Sequence, residues 1–336
     1  MNDQTAMAEE VERETPRLPS IHDTGGREGK FRAIDGTVIR YAWWRGDKAQ
    51  LAGTVVYFNG RTEFIEKNLE TVGELVARGF DVWTLDWRGQ GLSQRLLGNR
   101  QKRHIDDYRQ YLGDLRLFFR DYVEPRTRER CVLLGHSMGG HIALRLLQEP
   151  PLRFTHAVLM APLIDLYASN FLAGGVHRLL AALGSWPMLA RAYVPGRSDY
   201  GPRNLRFEGN DLTSDSKRFA RTHAYIAANP DLAVDGPTMG WLNATCRSIS
   251  VVREPAFAKG IRTPLLIISA SADRVVSNAA QQAFIEQVPQ GQLYTVAGAR
   301  HEILLEQDDY RRQFWEQFDA FVLGGEKSGE AAPQSA

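Results

Sequence analysis

Residues Gly135–Gly139 (GHSMG) place a serine between two glycines with the spacing G-x-S-x-G. The motif follows the apolar run Cys131–Leu134 and precedes a helical pattern over Met138–Leu147. A serine on such a strand-to-helix turn is lifted above the sheet and stands at a helix N-terminus, where developing negative charge is favoured. The turn is cramped, so its neighbours must be small. The motif in this context predicts that Ser137 is a nucleophile.

A serine hydroxyl is a weak nucleophile until a base, oriented by a third group, takes its proton. Where the serine occupies such a turn, the partners follow in the order acid, then histidine. His301 follows the strand pattern Gln292–Val296, and none of the other seven histidines has this placement. Asp273 follows the apolar run 265–269 and is the predicted acid. Asp165, which follows the run 155–160, is the alternative.

Acyl transfer from such a serine also needs hydrogen-bond donors for the oxyanion. The N–H of Met138, directly after the nucleophile, is one candidate. The N–H of Arg61 is the other, because Gly60 lets the backbone turn sharply after the strand pattern 54–58. Gly60 and the Arg61 side chain are also the predicted substrate contacts, with an anionic head group as the partner. The alternative for this arginine is a solvated or ion-paired loop residue.

The segments that carry these residues alternate between short β-rich runs and longer helical patterns. Apolar strand runs alternating with helices predict an α/β fold, with a mostly parallel central sheet covered by helices on both faces. Because ligands bind at the carboxyl ends of parallel strands, Ser137, Asp273 and His301 are expected to meet at one edge of the sheet.

The alternation of strand and helix patterns stops between residues 163 and 259, where helical patterns occur without a clear strand. We expect a helical cap, or lid, inserted into a core formed by residues 29–162 and 260–323. Residues 1–28 and 324–336 are polar enough to be tails. Between 174 and 224 the cap carries eight Lys or Arg against four acids. This charge suits either contact with phosphate groups and anionic membranes or a solvated helix face.

Composition excludes several classes of protein. Forty-one basic and forty acidic residues give a net charge of +1 over 336 residues, so no global field attracts nucleic acid. No apolar stretch approaches the ~20 residues of a membrane span, and the N-terminus has no secretory pattern. The expected location is cytoplasmic, with transient contact with a membrane surface left open. No motif for a metal or cofactor is complete, so none is expected.

Several stretches resemble the serine α/β-hydrolase superfamily, and within it the bacterial lysophospholipase L2 and monoacylglycerol lipase group. They are 59–63 (NGRTE), 79–93 (GFDVWTLDWRGQGLS), 135–140 (GHSMGG), 204–207 (NLRF) and 298–306 (GARHEILLE). The resemblance covers most of residues 30–322. It implies a nucleophile at Ser137, an acid at Asp273, a base at His301 and a helical cap. Asn59 departs from the pattern, since many relatives have histidine or proline there.

These observations together predict a serine hydrolase that cleaves carboxylic esters of acyl-chain lipids, of lysophospholipid or monoacylglycerol type. The expected partner is a small-molecule acyl ester or lysolipid. A peptidase, amidase or acyltransferase of the same fold is an alternative, and a non-catalytic binding scaffold is a further one. The head group, the acyl length and the oligomeric state are not predicted.

Overall fold

The computed structural model describes residues 17–46, 51–127, 130–149, 152, 154–167, 182–184 and 186–324. Within these ranges the chain forms an eight-stranded sheet. Its strands are β1 (Arg27–Arg32), β2 (Val38–Trp44), β3 (Gly53–Phe58), β4 (Phe80–Leu85), β5 (Cys131–His136), β6 (His156–Met160), β7 (Leu265–Ala270) and β8 (Gly291–Val296).

The strand order is β1-β2-β4-β3-β5-β6-β7-β8. The pairs β1–β2 and β2–β4 are antiparallel, and every other described pair is parallel. The predicted mostly parallel sheet is therefore confirmed. As a result of the parallel pairing, β5, β7 and β8 end at the same edge, and the residues that follow them are brought together.

Helices cover both faces of this sheet. The helices of the described residues are α1 (Leu69–Ala77), α2 (Arg109–Phe118), α3 (Met138–Leu146), α4 (Pro187–Ala190), α5 (Ser216–Ala228), α6 (Met239–Val252), α7 (Pro255–Gly260), α8 (Asn278–Ile285) and α9 (Asp308–Val322). The pattern over 107–122 predicts one regular helix, but α2 ends at Phe118 and continues as a π-helical turn, Phe119–Val123. Among the described residues, no helix is both long and apolar enough to cross a membrane.

The core lies on the two sides of the sheet. Val56, Leu133 and Ile267 contribute to one apolar cluster, whereas the neighbouring Val55 and Val132 contribute to the other. Successive side chains of a strand point to opposite faces, so strands buried on both faces read as continuous apolar runs. This is why β3, β5 and β7 are visible in the sequence.

The polar N-terminal segment differs from the expected tail over 1–28. Ile21 is buried in the cluster beneath β2, and Trp44 Nε1 donates a hydrogen bond to Thr24 Oγ1 at 3.0 Å. β1 begins at Arg27. The segment 17–26 is therefore fixed to the sheet by one apolar anchor and one side-chain hydrogen bond. Residues 1–16, and the C-terminal tail after Gly324, lie outside the described ranges.

Between β6 and β7 the described residues contain α4 to α7 and short 3₁₀ turns, with no strand of the sheet. Arg103, which follows β4, pairs with this segment. Its N–H donates to the Gly236 carbonyl at 3.0 Å, and its carbonyl accepts from Thr238 N–H at 2.9 Å. Residues 176–181 and 185 of the helix expected over 176–193 lie outside the described residues. Its described end forms the single turn α4.

Candidate active site

Ser137 occupies the turn between β5 and α3 with φ 52° and ψ −114°. A non-glycine residue at positive φ is strained by about 1–3 kcal/mol and is held there only by its surroundings. A Cβ on Gly139 would lie 2.3 Å from the Phe58 carbonyl oxygen, and one on Gly135 would lie 3.0 Å from Gly140 Cα. Gly139 is therefore needed because the turn is packed against the end of β3, and Gly135 lies close against the first turn of α3.

The ring of His301 lies between Ser137 and Asp273. Ser137 Oγ–H donates to His301 Nε2 at 2.9 Å, and His301 Nδ1–H donates to Asp273 Oδ2 at 2.7 Å. This arrangement requires the tautomer with the proton on Nδ1. The three residues come from the ends of β5, β7 and β8. The structure thus brings together the three residues that the sequence singles out for nucleophile, acid and base.

Asp273 is held as an anion. The N–H groups of Val275 and Val276 donate to its Oδ1 at 2.7 and 3.1 Å. Burial raises the pKa of Asp273, but the His301 ring and the two N–H donors outweigh it, so the pKa lies below its usual value. An ionised acid beside Nδ1 fixes the imidazole and stabilises its charged form.

The alternative acid, Asp165, lies in a different environment. Its Oδ2 pairs with Arg253 Nη1 at 2.5 Å, and its Oδ1 accepts from Leu166 N–H at 2.9 Å. Both oxygens of the Asp165 carboxylate are therefore bonded elsewhere, one to the next residue and one to the arginine that follows α6. Of the two candidates, the structure places only Asp273 on His301.

The loop after β3 is fixed from several sides. Trp87 Nε1 donates to the Asn59 carbonyl at 2.8 Å, and Thr62 N–H donates to Gln90 Oε1 at 2.6 Å. A Cβ on Gly60 would lie 2.7 Å from His136 Nδ1, so this glycine permits close contact with the nucleophile turn. Arg61 follows it with an exposed side chain.

Met138 is the first residue of α3, so its N–H belongs to the unpaired first turn of that helix. The loop around Arg61 and the N-terminus of α3 are in contact, since Gly139 packs on the carbonyls of Phe58 and Asn59. The two predicted oxyanion donors therefore come from adjoining segments. Their role stays a prediction.

Four buried charged side chains lie behind the site. His136 Nδ1 lies 2.6 Å from Glu63 Oε1, and its Nε2 lies 3.1 Å from the His301 carbonyl oxygen. Lys67 Nζ donates to Glu302 Oε1 at 2.6 Å. From its sequence position, His136 is expected to be a packing residue that points away from the nucleophile. It instead links Glu63 to the backbone of the candidate base.

The protonation of this cluster follows from its charges. Burial lowers the pKa of His136, but Glu63 outweighs it, and the pKa is raised. Burial likewise raises the pKa of Glu63, but Lys67 and His136 outweigh it, and the pKa is lowered. As an imidazolium, His136 donates from both nitrogens, to Glu63 and to the His301 carbonyl. No local motif reveals this link, because Glu63 and His136 are far apart in the sequence.

Part of the basic charge between 174 and 224 is neutralised. Arg218 pairs with Glu70, Asp215 and Asp308, and Arg221 also pairs with Glu70. These contacts fasten α5 to α1 and to the start of α9. Arg178, like the rest of 168–181, lies outside the described residues. Within the described ranges, no cluster of three or more His, Cys, Asp or Glu is placed to hold a metal ion.

The parallel sheet, the strained serine turn and the Ser-His-Asp arrangement together define an α/β hydrolase. The sequence matches the family described as "Serine aminopeptidase, S33" over residues 49–308. The chain belongs to this family.

Its relatives include Lysophospholipase L2 of Escherichia coli strain K12, 31% identical over 84% of each chain. Monoacylglycerol lipase of Mycolicibacterium smegmatis is 24% identical over 83% of this chain and 91% of the relative. Among solved structures, a soluble variant of the Saccharomyces cerevisiae monoglyceride lipase, in complex with a substrate analogue, superposes with a TM-score of 0.74. It covers 92% of this chain and 98% of its own at 19% identity, so it shows the shared fold.

Proposed function

We propose that this protein is a serine hydrolase that cleaves carboxylic esters of acyl-chain lipids through an acyl-enzyme on Ser137. The observation that carries the proposal is the pair of hydrogen bonds that joins Ser137, His301 and Asp273. Relatives named lysophospholipase and monoacylglycerol lipase support the lipid ester as substrate class.

In the first half of the reaction, His301 Nε2 takes the proton of Ser137 as Oγ attacks the ester carbonyl carbon. The negative charge moves to the carbonyl oxygen, where the N–H groups of Arg61 and Met138 donate to it. Asp273 stabilises the imidazolium. When the tetrahedral intermediate collapses, His301 gives the proton to the departing alcohol, and the acyl group stays on Ser137.

In the second half, a water molecule gives a proton to His301 Nε2 and attacks the acyl carbon. Collapse of the second intermediate releases the fatty acid and returns the proton to Ser137 Oγ. Two donors at the oxyanion are each worth about 2.7–4 kcal/mol of transition-state stabilisation in comparable sites. No cofactor is needed for either half.

In this scheme, the cap proposed for residues 163–259 covers the part of the site that binds the acyl chain. Trp186 and Met188 are 64% and 93% exposed, which suits contact with an acyl chain or transient contact with a membrane surface. The cytoplasmic location stays a prediction from the sequence.

The test is Ser137→Ala, with Ser250→Ala as the matched control. Ser250 is an exposed α6 serine whose Oγ donates to the Cys246 carbonyl at 3.0 Å. Ser137→Ala should abolish labelling by a fluorophosphonate and hydrolysis of p-nitrophenyl esters, whereas Ser250→Ala should keep both. Labelling that persists without Ser137 overturns the assignment. Absence of labelling in the unaltered protein favours a non-catalytic scaffold.

The family description favours a peptidase or amidase as the second candidate. Product analysis separates the two. The purified protein is incubated in parallel with lysophosphatidylcholine, a monoacylglycerol, and aminoacyl amides. Free fatty acid from the lipids supports the lipid hydrolase, and cleavage of the amides alone reverses the substrate class. Transfer of the acyl group to an added alcohol identifies an acyltransferase.

A further inference from the structure

The loop that carries the candidate base is bonded to the region inserted between β6 and β7. This base loop, residues 297–306, connects β8 to α9 and includes His301. Directly after His301, Glu302 N–H donates to the Leu212 carbonyl at 2.8 Å. The backbone beside the base is therefore supported by a segment that lies far away in the sequence.

Glu306 makes the corresponding connection directly before His301. Its side chain is fully buried, with 0% exposure. Oε1 accepts from Arg300 N–H at 2.9 Å, while Oε2 accepts from Ser214 N–H at 2.9 Å and from Ser214 Oγ–H. A buried carboxylate is costly unless donors satisfy it, and every described donor to this one is a backbone N–H or a hydroxyl. Both oxygens are satisfied only while the base loop and segment 210–214 remain in contact.

Two further side chains join the same pair of segments. Arg300 Nη1 donates to the carbonyls of Asn210 and Thr213 at 3.1 and 2.9 Å. Thr213 Oγ1 donates to the Leu305 carbonyl at 2.6 Å. Segment 210–214 is thus bonded to the base loop on both sides of the candidate base.

The position of these bonds matters for the reaction. The ring of His301 has to meet Ser137 at 2.9 Å and Asp273 at 2.7 Å at the same time. Misplacement of a catalytic group by about 1 Å can cost about 100-fold in rate. Loss of contact with segment 210–214 would release the backbone before and after His301 without removing any triad residue.

We propose that Glu306 is a positioning residue for His301, and that it fixes the candidate base by binding the base loop to segment 210–214. Glu306 touches neither the substrate nor the reacting atoms, and it acts through the backbone of Arg300. The inserted region then has a role besides that of a cap, because Ser214 completes the support of the base. The inference rests on the proposed function, since it assigns Glu306 a part in that reaction.

Hydrogen exchange measures the connection without turnover. In Glu306→Gln one oxygen becomes an amide NH₂ group, so the side chain no longer accepts from Arg300 N–H and Ser214 N–H together. The amides of Arg300 and Glu302 should then exchange about tenfold faster or more relative to the amides of β5, since a buried donor loses its acceptor. Dividing by the rates of β5 removes the effect of global destabilisation.

Asp114→Asn is the matched control for this variant. Asp114 is also a buried carboxylate, 2% exposed, but it lies on α2 and pairs with Arg88. Its substitution likewise removes one buried charge with little change of shape. The exchange of the base loop relative to β5 should not rise in this control.

Kinetics then test whether the connection serves the base. Glu306→Gln should lower kcat for p-nitrophenyl esters about tenfold to 100-fold and leave KM within about twofold, because Ser137 and the substrate contacts are unchanged. Arg300→Met, which loosens the same segment from the other side, should lower kcat in the same direction. Asp114→Asn and Arg206→Met, the latter an exposed arginine of the inserted region, should keep both constants. All variants are assayed at a temperature at which they are folded.

Each outcome bears on a separate step. If the exchange ratio does not rise, the connection itself is overturned. If it rises while kcat is unchanged, or if only KM changes, Glu306 stabilises the loop but does not position the base. If Glu306→Gln does not fold, Ser214→Ala removes only the Oγ–H bond to Oε2, and smaller changes in the same direction are expected in both measurements. An unaltered protein that hydrolyses no ester refutes the proposed function, and with it the role at the base, whatever the exchange result.

Discussion

His136→Phe removes the link between Glu63 and the backbone of His301 while keeping a ring of similar size. The variant leaves the Glu63 carboxylate buried without its partner at 2.6 Å, and it leaves the His301 carbonyl without the contact at 3.1 Å. Removing one partner of a buried ion pair costs about 3–5 kcal/mol. An unsatisfied buried acceptor adds about 1–3 kcal/mol. We therefore expect the free energy of unfolding to fall by about 4 kcal/mol or more, a large share of the usual 5–15 kcal/mol.

A double-mutant cycle isolates the pair. Glu63→Gln keeps the shape of the side chain and the contact with Asn68, and the double variant with His136→Phe removes both charges. The cost of the double variant should be smaller than the sum of the single costs by at least about 2 kcal/mol, since the partners act as a unit. The measurement is urea unfolding of the four proteins. His156→Phe is the control, because His156 Nδ1 has no hydrogen-bond partner within the described structure.

The pH dependence of the free energy of unfolding tests the Glu63–His136 pair independently. Glu63 has a lowered pKa, so its contribution is present above the ordinary value of 4.5 and is lost as the pH falls through its folded pKa. His136 has a raised pKa, so its contribution is present below 6.5 and is lost as the pH rises through its folded pKa. The difference in the free energy of unfolding between the unaltered protein and the double variant should be largest between pH 4.5 and pH 6.5, where both contributions are present. A coupling energy below about 0.5 kcal/mol, typical of independent sites, would refute the reasoning.

Two further predictions concern the candidate triad and its turn. Asp273→Asn should lower kcat by about 10⁴-fold, as the equivalent change does in serine proteases, because the wrong tautomer is favoured. Asp165→Asn should lose only the ion pair with Arg253, worth about 0–1 kcal/mol of stability, and a larger kcat loss here than at Asp273 would reverse the assignment. Gly139→Ala should lower kcat by about 100-fold, because its Cβ would meet the Phe58 carbonyl at 2.3 Å and a shift of the turn misplaces Ser137. Ester hydrolysis kinetics give kcat for the three folded variants. Full activity of the Gly139→Ala variant would show that the turn is not constrained.

The parts of the structure that sequence predicts are those with a local cause. The apolar runs of β3, β5 and β7 are legible because the strands are buried on both faces. The serine turn can be recognised in the sequence because both glycines that the turn requires lie within one five-residue motif. Asp273 and His301 follow from topology, since the residues after parallel strands meet at one edge of the sheet.

The contacts that the sequence misses depend on tertiary register. The role of His136 depends on a carboxylate that a separate loop brings within 2.6 Å. The π-helical turn after Phe118 and the burial of Ile21 depend on what each segment packs against. A periodic pattern shows which face of an element is apolar, but it does not show which charge lies opposite which.

The charges buried around the candidate site explain why this region has little net charge of its own. Behind the site, Glu63 faces His136 and Lys67 faces Glu302, so these four charges cancel in pairs. In the proposed reaction, proton transfer from Ser137 to His301 creates an imidazolium beside Asp273, so that this charge is also paired.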